Sequence, residues 1–304
     1  MSRDRGFVLV NALLIVAALA AAAVFLLARA DSGRVRLEAR QGAAQLGAYL
    51  DAFEALAITQ LNRDARTGAV DHAGEDWARP IQDVTLDRGR VTGRLRDEQA
   101  LFNLNWLADQ GNTQASEAFD ALASRIGISP STGDAIRAFL RPGGPEQRAL
   151  FRRQTPPLDP VGGALLMFDQ LADVPGIPAR DMQRLRQFTT VLPGDSAINV
   201  NTVSVEVLTG FLPALRPAML DSVLRRRRQA PFTSADDFVL VVEAAMGAAL
   251  DETVDVARFA VGSDWFRVQA QAELEGQTAT RTALLMRQSA PRGALVRWRV
   301  STYD

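Results

Sequence analysis

Few residues of this 304-residue chain have the types or spacing to do chemistry. There is no cysteine, which removes thiol nucleophiles, disulfides and cysteine-ligated metals together. The one histidine, His72, stands among Asp71, Gly74, Glu75 and Asp76 in a polar run that reads as a loop. With no second imidazole in the chain, it cannot seed a histidine-rich metal site. No Gly-x-Ser-x-Gly elbow or phosphate loop is present. The paired carboxylates Asp236-Asp237 and Asp251-Glu252 fall where helices begin, and there acids complement the helix dipole. These features argue against an enzyme.

A short polar leader, MSRDRG, runs straight into an apolar stretch from Phe7 to Ala28 whose only polar member is Asn11. At about 1.5 Å per residue this stretch is roughly 33 Å long, enough to cross a bilayer. Arg3 and Arg5 precede it and place the leader on the cytoplasmic side. In a secretory signal the cut follows the apolar core. A cut after Gly6 would precede it and leave the span on the mature protein.

Beyond the span the apolar pattern keeps helical spacing, through Val35, Leu37, Ala43, Ala44, Leu46, Leu50, Phe53, Leu56, Ala57 and Leu61. Arg36, Arg40, Asp51 and Glu54 lie opposite. The pattern predicts one helix over residues 7–62, half in the membrane and half on a soluble domain. The period then drops to two. Ile81, Val84, Leu86 and Val91, Gly93, Leu95 flank a turn at Asp87 to Arg90 and predict a hairpin. Three further strands are expected at the far end, over Asp264 to Leu274, Thr278 to Arg287 and Ala294 to Tyr303. Residues 101–252 between them read as an all-helical insertion, so that 78–100 and 253–304 would form one α/β domain. The expected class is α+β.

Basic and acidic residues nearly balance, 34 against 35, and every basic residue is an arginine. A general nucleic-acid binder would carry a basic surplus. The string INVNT…L…LP…R….PF.S..D from Ile198 is nonetheless similar to a helix-hairpin-helix of the DNA-uptake type. Its hairpin, Leu212-Pro213-Ala214-Leu215-Arg216-Pro217, lacks glycine, and its prolines offer no N–H to a phosphate. The run Arg225 to Arg228 reads as a solvated helix face.

Gly6-Phe7, FNLN at Phe102 to Asn105, VLPGD at Val191 to Asp195 and AINVNTVSVEVL at Ala197 to Leu208 together resemble the GspK-type minor pseudopilins of type II secretion systems. The resemblance spans essentially the whole chain and implies a pilin-like fold, a long N-terminal helix on an antiparallel sheet plus a helical insertion. It implies cleavage after Gly6 and methylation of Phe7 by a prepilin peptidase. Pilins carry a glutamate at the place of Asn11, so its absence implies a subunit at the filament tip with no neighbour ahead. The implied partners are two other minor pseudopilins (I- and J-type), the major pseudopilin and the inner-membrane assembly platform. The implied location is the inner membrane, with the C-terminal domain in the periplasm. The alternative is a type IV pilus or DNA-uptake minor pilin. The family binds calcium through an aspartate-rich loop. Here the matching stretch keeps only Glu146 and Asp159 among five arginines, so no cofactor is expected unless Asp169 or Asp173 contributes. Replacing Gly6 with leucine is expected to leave an uncut precursor, read as a larger mass in cells with an active prepilin peptidase; an unchanged product would remove the processing site from Gly6.

Overall fold

The computed structural model describes residues 4–79, 82–289 and 291–303, without the side chains of 4–11 and Gln82. Ile81, an expected hairpin residue, lies outside the described residues. Helix α1 runs unbroken from Asp4 to Asp64, 61 residues and about 92 Å at the usual helical rise. Its residues 12–41 are exposed throughout. Burial begins with Leu46 and continues at Leu50, Phe53, Ala57 and Leu61, spaced three or four apart so that they share one face. The expected apolar face therefore starts later than its sequence pattern does. Val35 and Leu37 are exposed. Glu54, expected on the polar side, is buried because Arg299 from the sheet reaches its Oε1 at 3.0 Å.

The helix packs on a five-stranded antiparallel sheet made of β1 (Gln82–Leu86), β2 (Gly89–Asp97), β7 (Trp265–Leu274), β8 (Gln277–Gln288) and β9 (Gly293–Tyr303), in that spatial order. Strict alternation turns Val91, Leu95, Phe266, Val268, Ala270, Ala272 and Leu274 toward α1. Gly93 faces the helix without a side chain. A Cβ there would stand 2.5 Å from the Phe53 ring, so glycine is what lets that ring sit against the sheet. At the β7–β8 hairpin, Glu275 and Gly276 both have positive φ, 49° and 85°, the backbone that fits strand twist in a two-residue loop.

Between β2 and β7 the chain leaves the sheet for the insert, which has its own apolar core. It contains α2 (Thr113–Ile126), α3 (Pro130–Leu140), α4 (Arg148–Arg152), α5 (Ala179–Phe188), α6 (Val205–Phe211), α7 (Pro217–Gln229) and α8 (Ala235–Met246). Asn112, Ser129, Ser204 and Ser234 cap four of these helices, each accepting a backbone N–H of the first turn. The insert is not wholly helical. Two parallel two-residue ladders cross it, β3 (Phe102–Asn103) with β4 (Thr189–Thr190) and β5 (Ile198–Asn199) with β6 (Phe259–Ala260). Segments of two residues carry no periodicity that a sequence can display. Phe168–Asp173 is a 3-10 stretch.

The two ladders head two similar lobes. In the first, Asn103 Oδ1 accepts the Asn105 N–H at 3.1 Å, and Asn105 clamps both backbone groups of Leu165, at 2.7 and 2.9 Å. In the second, Asn199 Oδ1 accepts the Asn201 N–H at 2.9 Å, and Asn201 clamps both backbone groups of Phe232, at 2.8 and 3.0 Å. FNLN and INVN thus do the same work in the two lobes. The lobes share one core, joined through Phe102, Phe211 and Phe259. Gly210 brings α6 against α2, where a Cβ would lie 2.7 Å from the Ala118 carbonyl oxygen. Phe53→Ala, which empties the centre of the helix–sheet core, is expected to cost about 3–5 kcal/mol, read as a lower urea midpoint; a cost below about 1 kcal/mol would mean that α1 is not held by this seam.

Candidate functional site

The sheet and the insert meet at a polar joint. Asp71, in the loop after α1, is 1% exposed. Its Oδ2 accepts the Ser263 N–H at 2.7 Å and an Arg287 N–H, and its carbonyl accepts Asn199 Nδ2 at 3.1 Å. Arg287, from β8, also donates to Asp64 Oδ2 at 2.9 Å and to the Ser263 carbonyl at 2.6 Å, with its guanidinium over the Phe266 ring. Asp97, at the end of β2, is 3% exposed. It accepts Thr202 and Ser263 hydroxyls, Asn199 Nδ2 and the Gln99 N–H. One set of side chains therefore ties the end of α1, the loop after it, β2, β8 and the second lobe.

Carboxylate oxygens of Asp64, Asp71 and Glu75 lie within 4.8 Å of one another. Burial, with Glu75 and Asp71 adding repulsion, lifts the Asp64 pKa from its ordinary 3.8 to about 7, against the pull of Arg287. Burial lifts Asp97 to about 6, although its hydrogen-bond donors oppose the shift. Asp64 therefore keeps its proton to a higher pH than an ordinary carboxyl. The Ser263 hydroxyl at the joint is buried and donates to Asp97. Sequence reasoning missed the joint, since Asp64, Asp71, Asp97 and Arg287 are scattered polar residues until the fold assembles them.

The expected site residues fall elsewhere. Gly6 and Phe7 lie in the first turns of α1. With Asn11 they belong to the stretch whose side chains lie outside the described residues. His72 stays in its loop, half-buried, its Nδ1 accepting the Gly74 N–H. Asp237 accepts the Thr233 N–H and Asp251 accepts the N–H and hydroxyl of Thr253, local turn and cap contacts. In the stretch matched to the family's calcium loop, Arg141 holds Glu146 at 2.8 Å, and Arg148 and Arg152 hold Asp159 at 3.3 and 3.1 Å. Asp169 pairs with Arg186 at 2.7 Å. Calcium takes six to eight oxygens, and acids already held by arginines do not fit that donor set. In the arginine run on α7, Arg227 donates to the Val200 and Val203 carbonyls, and Arg226 lies over Phe232 and pairs with Asp237. Half of the run is thus committed to the insert's own structure.

Two family models described as type II secretion system (T2SS), protein K match residues 100–194 and 198–261, which are the two lobes. The type II secretion system protein K of Aeromonas hydrophila is 31% identical over 222 residues, covering 64% of this chain and 67% of that protein. That of Pseudomonas aeruginosa is 28% identical over 304 residues, covering 93% and 89%. The crystal structure of the GspK-GspI-GspJ complex from the enterotoxigenic Escherichia coli type 2 secretion system contains a chain that superposes with a TM-score of 0.74 at 22% identity. It covers 88% of this chain and 100% of that one. The overall folds agree.

The joint yields a signed pH dependence. A carboxyl that keeps its proton in the folded state but loses it near 3.8 when unfolded stabilises the fold fully below pH 3.8, and that stability is lost as pH rises through its folded pKa. Asp64 loses its share as pH passes about 7 and Asp97 as it passes about 6. The soluble part is therefore expected to melt at a lower temperature at pH 8 than at pH 5.5. Asp64→Asn should flatten the upper part of that curve, and an unaltered slope would show that Asp64 does not titrate there.

Proposed function

This chain belongs to the family of type II secretion system protein K, and we propose that it is the minor pseudopilin at the tip of a type II secretion pseudopilus. One observation carries the reading. The insert is tied down through Asn199 to the carbonyl of Asp71, in the loop just past the far end of α1, while residues 12–28 toward the opposite end of that helix are apolar and exposed. The stretch from residue 12 is long and apolar enough to cross a membrane by length and composition. In a filament assembled by packing such helices side by side, a body of this size at the far end leaves no room for a subunit stacked above it. The tip is the position where that does no harm.

The N-terminal residues fit the same place. Cleavage after Gly6 would free Phe7 as the new amino terminus. With Asn11 the span carries no carboxylate, a group that is costly in hydrocarbon without a partner, and a tip subunit has no amine ahead of it to supply one. Before assembly the chain sits in the inner membrane as a single-pass protein with residues beyond the span in the periplasm. There it starts the pseudopilus together with an I-type and a J-type minor pseudopilin, in keeping with the complex in which the related GspK was crystallised. Its role is structural, and the residues proposed to matter are contact and processing residues.

The test is assembly. The soluble part from about residue 30, coexpressed with I- and J-type pseudopilins, should elute as one ternary complex, and a calcium chelator should leave its elution and melting temperature unchanged. Separate elution of the three subunits would sink the tip reading. A chelator-induced fall of several degrees would mean that a metal supports the fold.

A further inference from the structure

The sheet face turned away from α1 forms, with the edge of the insert, a groove of about 580 Å³. The register sets Arg96, Arg267, Leu284 and Trp298 in one row across four strands, and Arg94, Gln269, Thr282 and Val300 in the next. The insert closes the other side with residues 166–169 and α5. The charge here is one-sided. Arg267 is neutralised by Glu98 at 2.6 Å and Arg186 by Asp169. Arg94 and Arg96 form no ion pair among the described residues; they donate to Gln269 Oε1 and to the Gln187 carbonyl, which are neutral acceptors. Burial pulls the Arg96 pKa below its ordinary value, with Glu98 opposing the shift and Arg267 and Arg94 adding repulsion. At the other end of the row, Trp298 Nε1 is buried with no acceptor. Beside it Val300 is exposed, and across the groove Leu166 is 78% exposed.

Unmatched cations at one end and an apolar rim at the other define what would complete the groove: an occupant that supplies negative charge and a greasy side chain. We propose that this groove docks an extended acidic peptide segment of a partner protein, with carboxylates facing Arg94 and Arg96 and an apolar side chain between Trp298, Val300 and Leu166. Three strand spacings separate the two ends, roughly 14 Å, which an extended chain covers in about four or five residues. A nucleic acid fits less well, since two spare cations flanked by aliphatic side chains make no track for a phosphate backbone. The site lies apart from the apolar helix by which the proposed filament assembles, so its test is independent of that reading.

The probe is a capped, fluorescein-labelled hexapeptide with two glutamates at one end and leucine at the other, titrated by anisotropy against the full-length protein in neutral detergent. Saturable binding that weakens as salt rises is expected. Arg94→Glu and Leu166→Ser, both at exposed positions where folding is not at stake, should each weaken it at least tenfold. The same peptide with glutamine for glutamate should bind at least tenfold more weakly, and a single-stranded oligonucleotide should not compete. Equal binding of the glutamine peptide, indifference to both substitutions, or displacement by the oligonucleotide would overturn the proposal. So would loss of binding once I- and J-type pseudopilins are bound, because the groove would then belong to a subunit interface.

Discussion

Two buried carboxylates, Asp71 and Asp97, hold together parts that otherwise have separate reasons to fold. The helix–sheet core and the insert's core are distinct apolar clusters, and little greasy surface runs between them. What crosses the boundary is polar: Asp71 to Ser263, Asn199 and Arg287, and Asp97 to Asn199, Thr202 and Ser263. Buried acids are tolerated only where donors satisfy them. The joint therefore specifies orientation more sharply than an apolar contact would, since a small rotation of the insert would leave several buried groups unmet. It also places the insert at the far end of α1, which is the geometric fact behind the tip reading.

The helix itself shows one pattern serving two solvents. From Leu46 to Leu61 the apolar residues are confined to one face because a sheet covers that face and water the other. From residue 12 to Ala28 they run all round the helix, which fits a lipid environment. Arg281 and Arg299 reach from β8 and β9 to Asp51 and Glu54, fixing the helix's rotation on the sheet just where the exposed part ends. A span anchored on this helix is thereby held in a set direction relative to the sheet.

Within the insert, polar residues again do the specifying. Asn105 and Asn201 each pair with the N–H and carbonyl of a residue far along the chain, as a neighbouring strand would. A side-chain clamp closes each lobe where only two residues of β-ladder exist. Leu or Ala in place of either asparagine would leave a buried N–H and a buried carbonyl unpaired, a cost of about 1–3 kcal/mol for each group.

Local pattern determined much of this protein from sequence alone. The unbroken apolar run, the switch from helical to alternating period near residue 82, the capping serines and the Glu275-Gly276 turn are written in adjacent residues, and the elements formed where those signals stand. The asparagine motifs and the Gly6-Phe7 junction were legible as strings, and they carried the family resemblance. Their contacts were not legible, because Asn201 finds Phe232 and Asn105 finds Leu165 only in the folded lobe. Tertiary structure also moved the start of the helix's buried face from Val35 to Leu46 and buried Glu54, since the sheet's length, and not the helix's own periodicity, decides how much of α1 is covered. The joint and the cationic groove exist only in three dimensions. Asp64 meets Arg287 across 223 residues of chain, and Arg94 and Trp298 share a surface because β7 and β8 lie between their strands. No local signal announces a contact made by residues so far apart.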